Sequence, residues 1–342
     1  MVEFIYTEDP NKRYHTWNYA LRKQFGGKIF KVPLDGGFDC PNRDGTVAKG
    51  GCTFCSVSGS GDMIVAPSEP LPIQFQKEVH MMHKKWPQVN QYIVYFQNFT
   101  NTHAPVEVIR HRFEQVVNER GVVGISVGTR PDCLPDDVVE YLAELNQRYY
   151  LWIELGLQTT YEHTSNTINR AHDYQTYLNG VAKLRKHNIR VCTHLINGLP
   201  GESLEMMREN VRRTILDSDI QGIKLHLLHL MTNTRMLRDY HEGRLQLMTR
   251  NDYVNVICDQ LEMIPPEIVI HRLTGDAPTD ALVGPMWSLK KWEVLNAIDN
   301  EMKRRLCQCD LRPIGNDSPR DRDPSFNWRC TDRCFSRANV EP

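Results

Sequence analysis

The sequence predicts an α/β fold in which about six parallel strands, each followed by a helix, roll into a full or partial (β/α) barrel. Three observations point there. From about residue 90 to residue 230, short β-branched or aromatic runs alternate with longer amphipathic stretches. No antiparallel hairpin signal interrupts them, and right-handed crossovers between parallel strands curl such a sheet toward closure. A doubly wound open sheet is the alternative. However, no GxGxxG follows a first strand and no GxxxxGK(S/T) occurs anywhere, so nucleotide-binding variants lose support.

The elements follow in order. Residues 28–34 form a first strand that leads straight into a cysteine-containing loop. Residues 92–96 read as a strand, with a helix from Pro105 to about Glu119. Residues 122–127 are the next strand, with a helix after Pro135. Residues 151–155 precede a helix over 177–187, 189–196 precede a helix over 204–216, and 223–230 close the series. Beyond Asn251 a helix runs to Met263, Pro265 and Pro266 break it, residues 268–270 read as a strand, and a last helix spans 287–306. The division expected is an N-terminal segment 1–27, a barrel 28–240, a capping subdomain 241–306, and an irregular tail 307–342.

Bulk properties set limits. The 342 residues exceed the ~250–300 that a single core usually organises, which favours one large unit with an appendage. Forty-one Lys and Arg against 42 Asp and Glu argue against a surface coated in positive charge for non-specific nucleic-acid binding. The first ten residues lack the basic and apolar regions of a signal peptide, and no run approaches ~18 consecutive apolar residues. A cytoplasmic location is expected. There, ten cysteines point to metal or redox chemistry rather than disulfides.

The informative segment is Cys40-Pro-Asn-Arg-Asp-Gly-Thr-Val-Ala-Lys-Gly-Gly-Cys52-Thr-Phe-Cys55. Cys52 and Cys55 are close enough for one tight turn to aim both thiolates at the same metal. Gly45, Gly50 and Gly51 let the chain fold back and bring Cys40 to them. Soft thiolates select Fe–S clusters or zinc. A structural zinc ion wants four ligands, whereas a [4Fe–4S] cluster on three thiolates keeps one iron open. No fourth ligand lies nearby, since His80 and His83 are beyond a Pro-rich linker. Zinc and unliganded cysteines remain as alternatives. The loop follows the first strand, at the face where such barrels place their chemistry. An open iron there can chelate the amino and carboxylate groups of S-adenosylmethionine.

The loop, with aromatic Phe54 before its last cysteine, resembles the cluster loop of radical SAM enzymes. The long gap between the first two cysteines resembles the YtqA/YhcC group, related to the catalytic subunit of elongator. Further similar stretches are Tyr95-Phe96-Gln97, Thr100-Asn101-Thr102, Gly128-Thr129-Arg130-Pro131-Asp132, Glu154-Leu155-Gly156-Leu157-Gln158, Gly198-Leu199-Pro200-Gly201-Glu202 and His271-Arg272-Leu273-Thr274-Gly275-Asp276. The likeness implies a partial (β/α)6 TIM-like barrel with Cys40, Cys52 and Cys55 as cluster ligands. It implies S-adenosylmethionine contacts at Phe54, Gln97, Asn98, Thr129, Arg130, Glu154, Gln158, Gly198 and Gly201. Gln97-Asn98 stand where many relatives have Gly-Gly-Glu, a departure that weakens the carry-over there. An electron donor such as flavodoxin or ferredoxin is implied as partner, and tRNA wobble uridine as substrate. The competing readings are a zinc-stabilised nucleic-acid-binding protein and an Fe–S electron carrier.

Blander readings accompany the rest. Cys192 and Cys258 read as core residues, and Cys133 as packing in preference to a hydrogen-atom donor. Glu154, a carboxylate within an apolar strand, needs a partner. His194 and His226 read as hydrogen-bonded core histidines, and Trp287, Trp292 and Leu295 as one packed helical face. Lys224, Arg235, Arg238, Arg250 and Arg272 read as solvated surface in preference to an anion-attracting rim. Cys307, Cys309, Cys330 and Cys334 in the tail could bind a second metal, against a reading as free thiols in a disordered segment.

Overall fold

Alternate residues of every main strand go to different sides of one sheet, and the two sides are chemically unlike. The computed structural model describes residues 12–56, 59, 64 and 68–305. After helix α1 (Trp17–Phe25), strands β1 (Phe30–Leu34), β2 (Tyr92–Phe96), β3 (Val122–Thr129), β4 (Tyr150–Gln158), β5 (Arg190–Asn197) and β6 (Gly222–Leu227) follow in sequence. Helices α2 (Leu71–His83), α3 (Val106–Val117), α4 (Asp136–Arg148), α5 (Glu162–Thr167), α6 (Tyr174–Arg185) and α7 (Leu204–Asp217) connect them. The remainder comprises β7 (Leu230–Met231), α8 (Met236–His241), α9 (Arg250–Met263), β8 (Val269–Arg272), β9 (Leu282–Gly284) and α10 (Lys291–Arg304).

The main sheet has seven strands, all parallel, in the order β1-β2-β3-β4-β5-β6-β8. Its outer face supplies Val32, Val94, Ile125, Leu151, Ile153, Leu155, Val191, Ile223 and Leu225 to the core beneath the helices. Its inner face carries Lys31, Tyr95, Ser126, Glu154, His194 and Lys224, one from each of the first six strands. In a flat sheet, strands three apart would lie about 14 Å apart at ~4.8 Å per step. Yet the Lys31 ammonium of β1 bonds Glu154 of β4, and His271 of β8 reaches within 4.0 Å of the same carboxylate. The sheet is therefore curled into a half-barrel.

Its amino-terminal end is closed by α1. Thr16 caps that helix by accepting from the Tyr19 amide, and the preceding segment pairs with β8. Trp17 then stacks on His271 and meets Trp152 edge-on, while Leu21 packs with Ile29 and Ile93. The floor is thus apolar and aromatic.

Most expected elements appear within a few residues of their expected ends, with four differences. The strand read over 268–270, within the expected cap 241–306, adds a seventh strand to the main sheet because β8 pairs with β6. The stretch read as one strand over 223–230 divides into β6 and β7, and β7 pairs antiparallel with β9. The stretch around His80 and His83, read as lying beyond a linker, is helix α2, since a proline in the first turn of a helix removes no intrahelical bond. The last helix divides into a 3-10 turn, Met286–Leu289, and α10. Of the expected packed face, Trp287 and Leu295 do pack on the core, whereas Trp292 on α10 is 74% exposed and leaves it. Cys307, Cys309, Cys330 and Cys334 lie outside the described residues.

Candidate active site

The cysteine loop leaves β1 at its carboxyl end and is tied to the rest of the mouth by polar side chains. Asn42 is fully buried; its Nδ2 donates to the Asn169 carbonyl at 2.5 Å and approaches the Cys52 sulfur at 3.5 Å. Gly51 adopts φ +72°, and its carbonyl accepts from Asn169 Nδ2 at 2.7 Å and from the Arg235 guanidinium. Thr53 donates its amide to Ile168, and Met236 donates back to Thr53. Phe54 packs on the cluster of Ile168, Leu199, Leu228, Leu230, Met236 and Leu245.

Cys40, Cys52 and Cys55 are free and half-buried. The Cys52 thiol is lowered to about 7, first by a hydrogen bond from Cys55 and then by the charges of Arg130 and Arg170 and the Asn42 contact. The Cys55 thiol is held well above its usual value by that bond, by burial, and by Cys52 and Cys40. Cys55 therefore lies close to both Cys52 and Cys40. Among the described residues, no three His, Cys, Asp or Glu side chains are grouped to hold a single metal ion.

The other expected site residues distribute unevenly. Gln97 follows β2 directly, with its amide on the Leu34 carbonyl. Asn98 is buried; its Nδ2 donates to Asp35 at 2.8 Å, and its Oδ1 has no partner among the described residues. Thr129 ends β3 with its hydroxyl 2.5 Å from that of Thr102. Arg130 is buried and engaged, bonding Asp132 at 2.7 and 2.9 Å and the Arg170 carbonyl at 2.8 Å. Gln158 ends β4 at φ +61°, whereas Glu154 is the fifth of its nine residues. Gly198 and Gly201 form the turn after β5 with φ +90° and +78°. At Gly198 a Cβ would meet Met248 at 3.2 Å.

Below the mouth lies a polar layer that the sequence revealed only in part. Glu154 is fully buried; its Oε1 accepts from Ser126 at 2.6 Å and from Lys31, and its Oε2 from His194 at 3.0 Å and from Lys224. Burial opposes its ionisation, but Lys224 and Lys31 outweigh that and hold the carboxyl well below its usual range. Lys224 also donates to the Tyr95 hydroxyl at 3.2 Å, and Lys31 sits 3.8 Å over the Tyr95 ring. Burial lowers Lys31 to about 8 and His194 to about 4. Sequence reasoning missed Lys31 and Ser126, and gave Tyr95 and His271 no role beyond their place in family-like stretches. For Lys31 and His271 the signal was a lysine or histidine inside an apolar strand.

The five basic residues considered for a rim are placed differently, with Arg238 exposed. Lys224 is buried within the half-barrel, Arg235 braces the cysteine loop, and Arg250 and Arg272 pair with Glu293 and Asp276 at 3.7 and 3.6 Å. Cys133, Cys192 and Cys258 are all buried.

Comparison with known proteins gives the geometry its setting. Residues 44–214 match the Radical SAM superfamily and residues 220–304 the Radical SAM C-terminal domain. The chain belongs to the radical SAM superfamily. Protein YtqA of Bacillus subtilis is 60% identical over 297 residues, 87% of this chain and 92% of that one. A tRNA uridine(34) acetyltransferase of Methanocaldococcus infernus is 20% identical over 200 residues, 57% of this chain but only 36% of that protein. The solved structure of the archaeal Methanocaldococcus infernus Elp3 superposes with a TM-score of 0.61 at 15% identity, covering 83% of this chain and 64% of that one.

The cofactors of a radical SAM enzyme are a [4Fe–4S] cluster and S-adenosylmethionine, and the mouth fits both. Three neighbouring free thiols, one of them lowered toward ionisation, match a cluster with three protein ligands. The buried, unpartnered Asn98 Oδ1 at the end of β2 suits an amine donor such as that of S-adenosylmethionine. Among the described residues, no helix is long and apolar enough to cross a membrane.

Proposed function

We propose that Cys40, Cys52 and Cys55 hold the [4Fe–4S] cluster at the half-barrel mouth and that this radical SAM enzyme acts on the wobble uridine of tRNA in the cytoplasm. The reading is supported by three free thiols within one loop leaving β1, Cys55 lying close to the other two. When bound, the cluster and S-adenosylmethionine supply reductive cleavage of the sulfonium to methionine and a 5′-deoxyadenosyl radical, with the electron coming from a donor such as flavodoxin or ferredoxin. This chain's residues bind, orient and exclude water. Gln97 and Asn98 receive the methionine amine; Thr129, Arg130 and Gln158 border the ribose and carboxylate; and Phe54 with the Gly198–Gly201 turn flanks the adenine. Glu154 faces the substrate space below. The tRNA assignment is supported by the name of the distant uridine(34)-modifying relative.

Anaerobic reconstitution tests the first part. The expected result is thiolate–iron absorption near ~400 nm and 5′-deoxyadenosine release on reduction, both lost in Cys40→Ala, Cys52→Ala and Cys55→Ala. Colourless protein with stoichiometric zinc would overturn it. Nucleoside profiles of total tRNA with and without the gene test the second part. An unchanged wobble uridine removes the tRNA assignment and leaves the radical chemistry standing.

A further inference from the structure

We infer that the polar layer in the middle of the half-barrel is a binding site for a carboxylate carried by the substrate, received by Lys31 and Lys224. The inference rests on the reading that chemistry occurs at the mouth above.

Charge is the first argument. Two ammonium groups meet one carboxylate, Glu154, where a purely structural pair needs only one of each. The other side chains of the layer add no offsetting negative charge. Tyr95, Ser126 and the Cys192 thiol are neutral, and burial keeps His194, His226 and His271 neutral. Arg272, at the edge of the layer, has a side chain 38% exposed and shares Asp276 with Lys291, so it is left out of the count of charges within the layer. The layer therefore holds one unmatched positive charge inside protein, where such a charge is strongly unfavourable without an anion.

Access and unmet bonding are the second and third. Lys31 and His194 lie mid-strand on the inner face, yet their side chains keep 20% and 19% exposure. Trp17 and Trp152 pack against each other at the end below. The cysteine side is taken as the ligand's entrance. Both ring nitrogens of His271 and Nε2 of His226 are buried without a hydrogen-bond partner among the described residues. Lys31 and Lys224 each have N–H groups beyond those Glu154 and Tyr95 receive. A single unmatched charge flanked by two ammonium groups suits a monoanion with two acceptor oxygens, which is a carboxylate and not a phosphate dianion.

The test uses the full-length, cluster-reconstituted protein without reductant, titrated calorimetrically with acetate, acetamide and inorganic phosphate. Saturable acetate binding is expected, with acetamide and phosphate at least tenfold weaker. Lys31→Met should weaken acetate at least tenfold. Acetate that fails to saturate, binds no better than acetamide, ignores Lys31→Met or yields to phosphate overturns the inference. Iron content and melting temperature show whether the variant is folded; if it is not, the comparison of acetate with acetamide on the unmodified chain decides alone. Because no reductant is present, failure here is distinct from failure of the radical reading, which shows only in 5′-deoxyadenosine release.

Discussion

Asn42 and Cys52 share a hydrogen bond of 3.5 Å, and the same Asn42 amide holds the Asn169 carbonyl at 2.5 Å. One buried side chain thus ties the cysteine loop to the turn after α5, so the position of Cys52 depends on a residue more than a hundred positions away in sequence. Asn42→Ala leaves the Asn169 carbonyl short of a donor, at about 1–3 kcal/mol, and frees the loop. The expected outcome is faster iron loss to a ferrous chelator with little change in global melting. Retention equal to that of the unmodified chain would remove Asn42 as the anchor of the loop.

Glu154 joins three strands through Lys31, His194 and Lys224. Removing one partner of a buried ionic group leaves the others uncompensated, typically at about 3–5 kcal/mol. Glu154→Ala should therefore lower unfolding stability by that amount in urea. Glu154→Gln, which keeps the hydrogen-bond acceptor, should cost distinctly less. Equal losses in the two variants would show that charge, and not shape or the retained acceptor, holds the layer together.

These two anchors show what the sequence could and could not display. Parallel strands buried on both faces leave near-continuous apolar runs, so β2, β3, β4 and β5 were legible, and so was Glu154 as a carboxylate needing a partner. Its partners were not. Lys224 lies 70 positions away and Lys31 lies 123, and only the curl of the sheet brings them together. Alternation within β6 puts Lys224 on the face opposite Ile223 and Leu225, but which face is the interior depends on where the helices pack. Helix α2 was missed because its prolines read as linker. The spacing of the three cysteines was legible at once, while the Asn42, Asn169 and Arg235 brace that shapes their loop has no local signature.

The buried histidines predict a specific loss of stability in mild acid. Burial lowers His194 and His229 to about 4, and His226 and His271 also lie well below their usual value. A folded-state value below the unfolded one means the unfolded chain takes up protons first, so stability is full above pH ~6.5 and falls as pH drops toward 4. At pH 5, His194 and His229 each withdraw about 2 kcal/mol. Glu154, also lowered, loses its contribution only below pH ~4.5, so the window from 5 to 6.5 isolates the histidines. Urea unfolding at pH 7 and pH 5 should differ accordingly, and His194→Asn should shrink the difference by about 2 kcal/mol. Identical midpoints at the two pH values would mean these rings are not held neutral.

Trp17 makes a prediction about closure as well as stability. Its ring stacks on His271 at 4.0 Å, meets Trp152 edge-on at 5.4 Å and lies 5.7 Å from the Lys31 ammonium. It therefore separates the polar layer from solvent at the amino-terminal end. Trp17→Ala should cost about 3 kcal/mol, as expected for truncating a large packed aromatic, and Trp17→Phe roughly half of that. Water should then reach Trp152, which is 1% exposed in the intact chain, and acrylamide should quench its fluorescence more strongly. If Trp152 stays shielded although stability falls, the seal belongs to Leu21 and Ile29 of the neighbouring apolar cluster, and the indole contributes packing alone.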